Sequence, residues 1–221
     1  MNLETTPNLK FNFYDSFVPL IDNRSDAVPI LLSDDESYLS RLLGKVELKY
    51  TVSAGYFLSN VNTVLIPDES GNLKLILIKP SRKKRFVIGD RIARLPPGKY
   101  KIKTKLTEEM AFEVTLGFCI SLYKFQKFKK QTSSSDVLLC VPNNVDAKKI
   151  KAFCRAEYFV RNLVNTPASH LGPDNLEGAI KSFAIEKGFT FKTIIGKELL
   201  KKNFPMVYNV GKAADEAPRF V

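Results

Sequence analysis

The sequence predicts an α/β fold in three layers, with a sheet that helices largely cover. Short β-rich apolar runs alternate with helix-like segments from the N-terminus to about residue 141. The longest helix-like segment repeats apolar residues at intervals of three and four, as a helix packed against a sheet does. Hydrophobic residues make up 44% of the chain and aromatic residues 11%, which is enough to build a core.

Two strands and a helix are expected first. Residues 9–14 and 28–32 have the composition of short strands, with a polar turn between them. Ser33 or Asp34 can then cap a helix, because a side-chain oxygen accepts hydrogen bonds from first-turn amides. Gly44 is expected to end that helix, since glycine tolerates a positive φ.

A hairpin or a pair of adjacent strands follows. Residues 61–67 and 73–79 are β-rich runs on either side of a polar, glycine-containing turn. Residues 86–95 are predicted to form a short helix, which the sequence Pro-Pro-Gly breaks. Residues 99–104 are predicted to form a further strand.

A long helix is predicted from Thr107 to about Lys130. Its acidic start and basic end both complement the helix dipole. A loop at residues 131–135 and a buried strand at 137–141 come next. The face expected to pack on the sheet carries apolar or small residues: Ala111, Val114, Phe118, Ser121, Leu122, Phe125 and Phe128.

A second long helix is expected to reach about Asn165. Asn143 or Asn144 can cap its start. Thr166-Pro167 ends it, because proline disfavours the helical conformation of the preceding residue. Its expected apolar face consists of Phe153, Ala156, Val160 and Leu163.

The remaining residues also alternate between helix and strand. Pro173 is suited to the first turn of a helix that Gly188 closes. A strand at 189–195 and a short helix at 197–202 are predicted next. An apolar run at 206–210 follows, and residues 220–221 resemble the opening of another strand.

Several site types find no support in the sequence. The three cysteines are widely spaced among apolar residues, which favours buried thiols over a disulfide framework. One histidine and scattered cysteines do not make a zinc site. No apolar stretch approaches the ~18 residues of a membrane span. His170 has no partner histidine or defined nucleophile, so a structural role is favoured over a general base.

The net charge of +11 opens one functional alternative, a basic α/β module that binds nucleic acid or a nucleotide without catalysis. Charge patterning alone is weak evidence, because lysine is normal on solvated helix faces. The chain also contains no Gly-x-Gly phosphate loop. The best candidate contact would be the cluster Arg82, Lys83, Lys84 and Arg85.

Several segments carry a recognisable pattern. Residues 161–173 read Arg-Asn-Leu-Val-Asn-Thr-Pro-Ala-Ser-His-Leu-Gly-Pro, residues 209–213 Asn-Val-Gly-Lys-Ala, and residues 217–221 Ala-Pro-Arg-Phe-Val. Residues 116–118 read Leu-Gly-Phe, and residues 123–129 read Tyr-Lys-Phe-Gln-Lys-Phe-Lys. From about residue 107 to residue 221 the chain resembles the leucyl aminopeptidase family, also called cytosol aminopeptidases.

The resemblance implies a particular domain organisation. Residues 1–143 would form an N-terminal domain similar to the macro-domain fold, residues 144–165 an interdomain linker helix, and residues 166–221 the truncated beginning of the catalytic domain. In the family, an Arg-x-Leu-Val-Asn-x-Pro segment closes the linker helix. Arg161, Asn165 and Pro167 are therefore expected to fix the junction between the domains.

The resemblance also implies an activity whose chemical groups are missing here. The family's metal ligands and catalytic groups lie in Gly-Lys-Gly…Asp-Thr-Gly-Gly and Asn-Thr-Asp-Ala-Glu-Gly-Arg segments, and neither occurs in this sequence. We therefore expect an inactive fragment with no catalytic or metal-binding residue. The parent would be a cytoplasmic, hexameric hydrolase that removes N-terminal residues from peptides, using two divalent ions of manganese or zinc.

Overall fold

The computed structural model of the chain describes residues 18–22, 25–58, 60–81, 86–128 and 136–221. These residues form two compact units, with the boundary between Cys154 and Arg155. Some predictions lie outside the described residues: the strand at 9–14, the loop at 131–135, and the basic cluster Arg82, Lys83, Lys84 and Arg85.

A six-stranded sheet organises the first unit. Its strands are β1 (Leu20–Ile21), β2 (Val28–Leu32), β3 (Thr63–Pro67), β4 (Leu73–Ile78), β5 (Gly98–Ile102) and β6 (Val137–Cys140). Their order across the sheet is β1-β6-β5-β2-β4-β3. All neighbours are parallel except β3 and β4, which form the predicted antiparallel hairpin.

Helices cover both faces of this sheet. They are α1 (Glu36–Leu42), α2 (Lys45–Ser53), α3 (Val87–Ala93), α4 (Glu108–Ser121) and the first residues of α5 (Ala147–Asn165). Successive strand residues point to opposite faces. Ile76 and Ile78 therefore enter a core with α3, α4 and α5, whereas Leu77 packs with Leu39 of α1 and with Tyr56. The predicted three-layer α/β fold is confirmed.

The region around α1 departs from the prediction in two ways. The N-cap is Asp35, one or two residues later than predicted, and its carboxylate accepts a hydrogen bond of 3.0 Å from the Tyr38 amide. Gly44 does not end α1 with a positive φ. It has φ −66° and begins α2, a helix that the sequence reading missed. Leu43 instead closes α1 in an extended conformation.

The prediction that α4 extends to Lys130 is wrong. The helix ends at Ser121, its last turn carries no basic residue, and Phe125 and Phe128 lie beyond it. Seven of its residues between positions 111 and 119 are buried, so neighbouring segments enclose most of the helix. The helix ends in a tight turn, in which the Leu122 amide donates to the Cys119 carbonyl and the Tyr123 amide to the Ile120 carbonyl, both at 3.2 Å.

Two glycines allow α3 and α4 to pack at backbone distance. A Cβ atom at Gly89 of α3 would lie 2.2 Å from the Phe118 nitrogen and 2.4 Å from the Val114 oxygen of α4. A Cβ atom at Gly117 would lie 2.7 Å from the Cα of Phe86. Any side chain at either position would push the helices apart. Gly117 belongs to the Leu-Gly-Phe segment that the sequence analysis singled out.

The start and the packing face of α5 also differ from the prediction. Asp146 accepts hydrogen bonds from the amides of Lys148 and Lys149 at the start of the helix, whereas the Asn144 side chain donates to the Leu106 carbonyl. Along the helix, the buried positions are Ile150, Cys154 and Tyr158, while the predicted face of Phe153, Ala156, Val160 and Leu163 is exposed or half-buried. Both sets have helical spacing, so only the packing could distinguish them.

All three cysteines are buried, as predicted. Cys119 of α4 and Cys154 of α5 lie in the same core, and a hydrogen bond with Cys154 together with burial raises the pKa of the Cys119 thiol. Tyr56 is likewise buried. Its hydroxyl donates a 2.6 Å hydrogen bond to the Ser33 carbonyl, and burial raises the pKa of Tyr56 above its ordinary value.

The second unit contains α6 (Pro173–Lys187), β7 (Ile194–Ile195), α7 (Glu198–Lys201), α8 (Pro205–Gly211) and β8 (Arg219–Phe220). Pro173 begins α6, and Gly188 closes it with φ +70°, as predicted. β8 pairs with β7, which confirms a strand near the C-terminal residues. The predicted strand at 189–195 is reduced to its last two residues, and the apolar run at 206–210 lies within α8. Among the described residues, every helix is too short or too polar to cross a lipid bilayer.

Candidate functional site

The signature segments at residues 209–213 and 217–221 contact each other in the second unit. A Cβ atom at Gly211 would lie 2.4 Å from the Cβ of Pro218, so this contact requires glycine. The Pro218 carbonyl accepts a 2.8 Å hydrogen bond from the Gly196 amide, next to β7. The glycine of one segment and the proline of the other thereby bring α8 and β8 together.

Glu216 caps α6 from a distance of 42 residues along the chain. Its carboxylate accepts a 2.7 Å hydrogen bond from the Asp174 amide in the first turn of α6. A Cβ atom at Gly172 would lie 2.5 Å from the same carboxylate, so the N-cap glycine leaves room for it. The first-turn amides of a helix have no partner within the helix, and a negative charge there also complements the helix dipole. Glu216 supplies both effects.

Arg219 links β8 to the same end of α6. Its guanidinium donates a 2.5 Å hydrogen bond to Glu177 and forms an ion pair with Asp174. It also donates to the Ala217 carbonyl at 3.0 and 3.2 Å. The side chains of Arg219 and Glu177 are only 11% and 15% exposed. The planar donor fork of arginine suits several acceptors at once, which a lysine could not match.

The structure brings together four charged residues at the start of α6 whose contacts the sequence did not predict. Arg219 lies in a signature segment but had no predicted role, and Asp174, Glu177 and Glu216 were not predicted from the sequence. An acidic residue in a helix's first turn was the only available signal, and it does not identify a partner more than 40 positions away. We call Asp174, Glu177, Glu216 and Arg219 the α6–β8 network.

The end of α5 holds the residues predicted to fix the domain junction. Arg161 donates a 2.7 Å hydrogen bond to Glu157, one turn earlier in the same helix. Asn165 is the last helical residue, and the carbonyl of Pro167 accepts hydrogen bonds from the next turn. Thr166 donates from its hydroxyl and its amide to the Asn162 carbonyl, a capping role that the sequence reading had not assigned to it. A role of Arg161, Asn165 and Pro167 in joining domains remains a prediction.

An apolar cleft of about 700 Å³ lies beside the α6–β8 network. α6, α8 and the chain after Pro218 form its walls. Met206 and Val210 of α8 are 75% and 76% exposed, and Leu176 of α6 is 40% exposed. A concentration of exposed apolar side chains of this kind usually marks a surface that another part of a protein covers.

The described residues offer no metal centre. No three histidine, cysteine, aspartate or glutamate side chains come close enough together within residues 18–22, 25–58, 60–81, 86–128 and 136–221 to hold a metal ion. The carboxylates of the α6–β8 network are engaged with Arg219 and with a helix amide. His170 contacts the hydroxyl of neighbouring Ser169 at 3.0 Å. The described part of the chain therefore provides no ligand set for a metal ion.

Two family models match the chain, one after the other along the sequence. A family model described as "M17 aminopeptidase, N-terminal domain" matches residues 32–142, and one described as "Cytosol aminopeptidase family, catalytic domain" matches residues 158–221. The chain belongs to the M17 aminopeptidase family.

Relatives and solved structures agree with this assignment. The chain is 29% identical over 121 residues to a probable cytosol aminopeptidase of Aquifex aeolicus, covering 52% of this chain and 24% of that protein. It is 29% identical over 132 residues to one from Brucella suis, covering 54% and 26%. The chain thus spans about a quarter of the length of these curated relatives. Their names give no support to the nucleic-acid-binding alternative.

The fold is shared with solved aminopeptidases. The cytosol aminopeptidase from Coxiella burnetii superposes with a TM-score of 0.79 at 23% identity, over 90% of this chain and 44% of that one. An M17 aminopeptidase from Trypanosoma brucei superposes with a TM-score of 0.61 at 15% identity, over 88% and 44%.

Proposed function

We propose that this chain supplies the noncatalytic N-terminal domain and the first part of the catalytic domain of a leucyl aminopeptidase, an enzyme that removes N-terminal residues from peptides. The supporting observation is the order of the two family matches along the chain. The N-terminal-domain model matches residues 32–142, and the catalytic-domain model matches residues 158–221. In this proposal residues 1–143 are the N-terminal domain, 144–165 the linker helix and 166–221 the beginning of the catalytic domain.

The metal-dependent chemistry is proposed for the full-length enzyme and for no residue of this chain. In a two-metal hydrolase, divalent ions activate water and polarise the carbonyl that is attacked. The described residues lack a ligand set for such ions, so we assign manganese or zinc binding, and the hexameric assembly typical of the family, to the parent. A cytoplasmic location belongs to the same proposal.

The apolar cleft suggests how this chain serves the catalytic domain. α6 and α8 present exposed apolar side chains beside β8, while the α6–β8 network holds the ends of these elements in place. We propose that further catalytic-domain residues of the parent cover this cleft. Each large apolar side chain buried in this way contributes roughly 1.5–3 kcal/mol, which would make the covered cleft a substantial part of the domain core.

Isolation of the native polypeptide tests the proposal. The gene would be tagged at its 5′ end in the source cells, and the purified product measured for mass, assembly and release of leucine from a leucyl chromogen, with and without a chelator. We expect chelator-sensitive activity in the native product, and none in the purified 221-residue chain supplied with manganese, cobalt or zinc. Native product without metal-dependent aminopeptidase activity would refute the proposal, as would activity of the 221-residue chain alone.

A substitution at Arg161 tests the proposed junction. If this residue positions the linker helix, Arg161→Ala in the parent should lower the melting temperature or the assembled mass more than the turnover per assembled site. Arg94→Ala is a matched control, because Arg94 forms a similar i,i+4 ion pair with Asp90 in the first unit and is 76% exposed. An intact, fully stable assembly with abolished turnover would instead place Arg161 in the chemistry.

A further inference from the structure

A second cavity, in the first unit, lies at the carboxyl ends of β5 and β6. Its volume is about 700 Å³, and its walls come from residues 101–106, which end and follow β5, and residues 140–144, which end and follow β6. The two strands are parallel neighbours, so these segments leave the same edge of the sheet. A volume of this size falls within the range of small-molecule pockets, roughly 300–1,000 Å³.

The strand order of the sheet reverses next to this cavity, between β2 and β5. β5 lies between β2 and β6. The chain after β2 continues to β3 and β4 on one side, whereas the chain after β5 continues to β6 on the other. Open parallel sheets bind ligands outside the carboxyl ends of strands near such a reversal, because the connecting segments diverge there. Between β2 and β5 the gap is bridged, since the Thr104 hydroxyl accepts a 2.7 Å hydrogen bond from the Leu32 amide. The opening lies on the β6 side instead.

The charge of the cavity wall is one-sided. Lysines occupy positions 101, 103 and 105, and none of the described lining residues is acidic. Alternate residues of a strand point the same way, so Lys101 and Lys103 at the end of β5 lie on one face. The side chains of Lys103 and Lys105 are exposed to solvent. Three cations within five residues favour a ligand that carries more than one negative charge.

The same cavity also has apolar and amide surface. Ile102, Leu106, Val141 and Pro142 line it, together with Asn143 and Asn144. The Asn144 side chain donates a 2.9 Å hydrogen bond to the Leu106 carbonyl, which connects the two walls. A free inorganic ion would leave the apolar surface without a partner, whereas an organic molecule with an anionic end would contact both kinds of surface.

We propose that this cavity binds a small organic phosphate, with the phosphate at Lys103 and Lys105 and the organic part on the apolar wall. A phosphate monoester is close to a dianion at neutral pH, and lysine is a common phosphate ligand because it acts as a mobile point charge. The cavity lies in the first unit, and none of the segments quoted for the family resemblance lines it, so this binding is a function separate from the proposed peptidase chemistry.

Nuclear magnetic resonance of the full chain tests the proposal with phenyl phosphate as the probe. We expect saturable shifts of amide signals at residues 101–106 and 140–144, with a dissociation constant in the millimolar range or tighter. Benzyl alcohol has the ring without the charge, and inorganic phosphate has the charge without the ring. Both are expected to bind more weakly than phenyl phosphate.

Lysine substitutions provide the matched comparison. The double variant Lys103→Ala/Lys105→Ala should weaken phenyl phosphate binding by about tenfold or more, since hydrogen bonds to charged groups are the strong ones. Lys99→Ala is the control, because Lys99 lies on the same strand but does not line the cavity. Equal weakening by the control, unchanged binding by the double variant, or shifts scattered over other lysines without saturation would overturn the proposal. Inorganic phosphate that binds as tightly as phenyl phosphate would also overturn it.

Discussion

Replacing Gly89 with alanine would place a methyl group inside the backbone of α4. The new Cβ would lie 2.2 Å from the Phe118 nitrogen, 2.4 Å from the Val114 oxygen and 2.6 Å from the Gly117 carbon. All three are backbone atoms, so no side chain can rotate to make room. Relief requires that α3 and α4 move apart by about 1 Å to restore ordinary contact distances.

The expected loss of stability follows from two opposing effects. Overpacking of a core costs about 1–3 kcal/mol, and occasionally more, because side chains leave their rotamers and the backbone shifts. Alanine is favoured over glycine within a helix by about 1 kcal/mol, which reduces the loss. Because only backbone can yield here, the cost should lie near the upper end of that range, and we expect Gly89→Ala to lower the free energy of unfolding by about 2 kcal/mol after the helix-propensity gain. For a chain of this size that corresponds to a melting temperature lower by about 4–8 °C.

A matched glycine makes the measurement interpretable. Gly178 lies within α6, is exposed, and a Cβ atom there would meet nothing within 4 Å. Gly178→Ala should therefore leave the stability unchanged or raise it slightly. Urea unfolding followed by circular dichroism, with hydrogen exchange of α3 and α4 amides, compares the two variants. If Gly89→Ala were as stable as Gly178→Ala, close packing of α3 against α4 would be refuted.

Three further predictions concern single groups. Arg219→Ala should destabilise the second unit by about 2–3 kcal/mol, since it leaves the mostly buried Glu177 carboxylate without its cation. A protease should then cleave the variant faster after residue 155, and cleavage at the rate of the unchanged chain would contradict this prediction. Burial raises the pKa of Tyr56 in the folded chain. The neutral Tyr56 hydroxyl therefore contributes stability below the unfolded-state pKa of about 10, and this contribution is lost as the pH rises through the folded-state pKa. Melting temperatures across alkaline pH should fall less steeply in Tyr56→Phe. Cys119 and Cys154 should react slowly with a thiol reagent in the native chain and quickly after unfolding, because both thiols are buried and the pKa of Cys119 is raised, which disfavours its thiolate. Rapid native labelling of either would show that this core is open.

Local patterns predicted most of the elements correctly. The hairpin of β3 and β4, the helix between Pro173 and Gly188, and the start of α4 at Thr107 were predicted from turn residues, proline and the charge pattern at helix ends, which act over a few neighbouring positions. The family resemblance likewise rested on short contiguous segments. Such features are visible in a sequence because their physical causes are local.

The errors arose where several patterns were locally acceptable. Gly44 could end one helix or begin another, and only the path of the chain into α2 decided between them. The face of α5 with Phe153 and Val160 and the face with Ile150 and Cys154 both have helical spacing. The predicted helix was too long because the residues after Ser121 continue an apolar repeat, and such a repeat does not show where a helix ends.

The sequence by itself determined the fold class, the family and the order of most elements, because hydrophobic periodicity and capping residues act within a few positions of the chain. Only the tertiary structure decided the contacts that carry the functional proposals. Glu216 and Arg219 meet the start of α6 across more than 40 residues, and Gly211 needs its missing side chain because Pro218 lies against it. The lysines after β5 line a cavity only because β6 lies beside that strand in parallel. These partners are close in space and distant in sequence, so the folded chain alone brings them together.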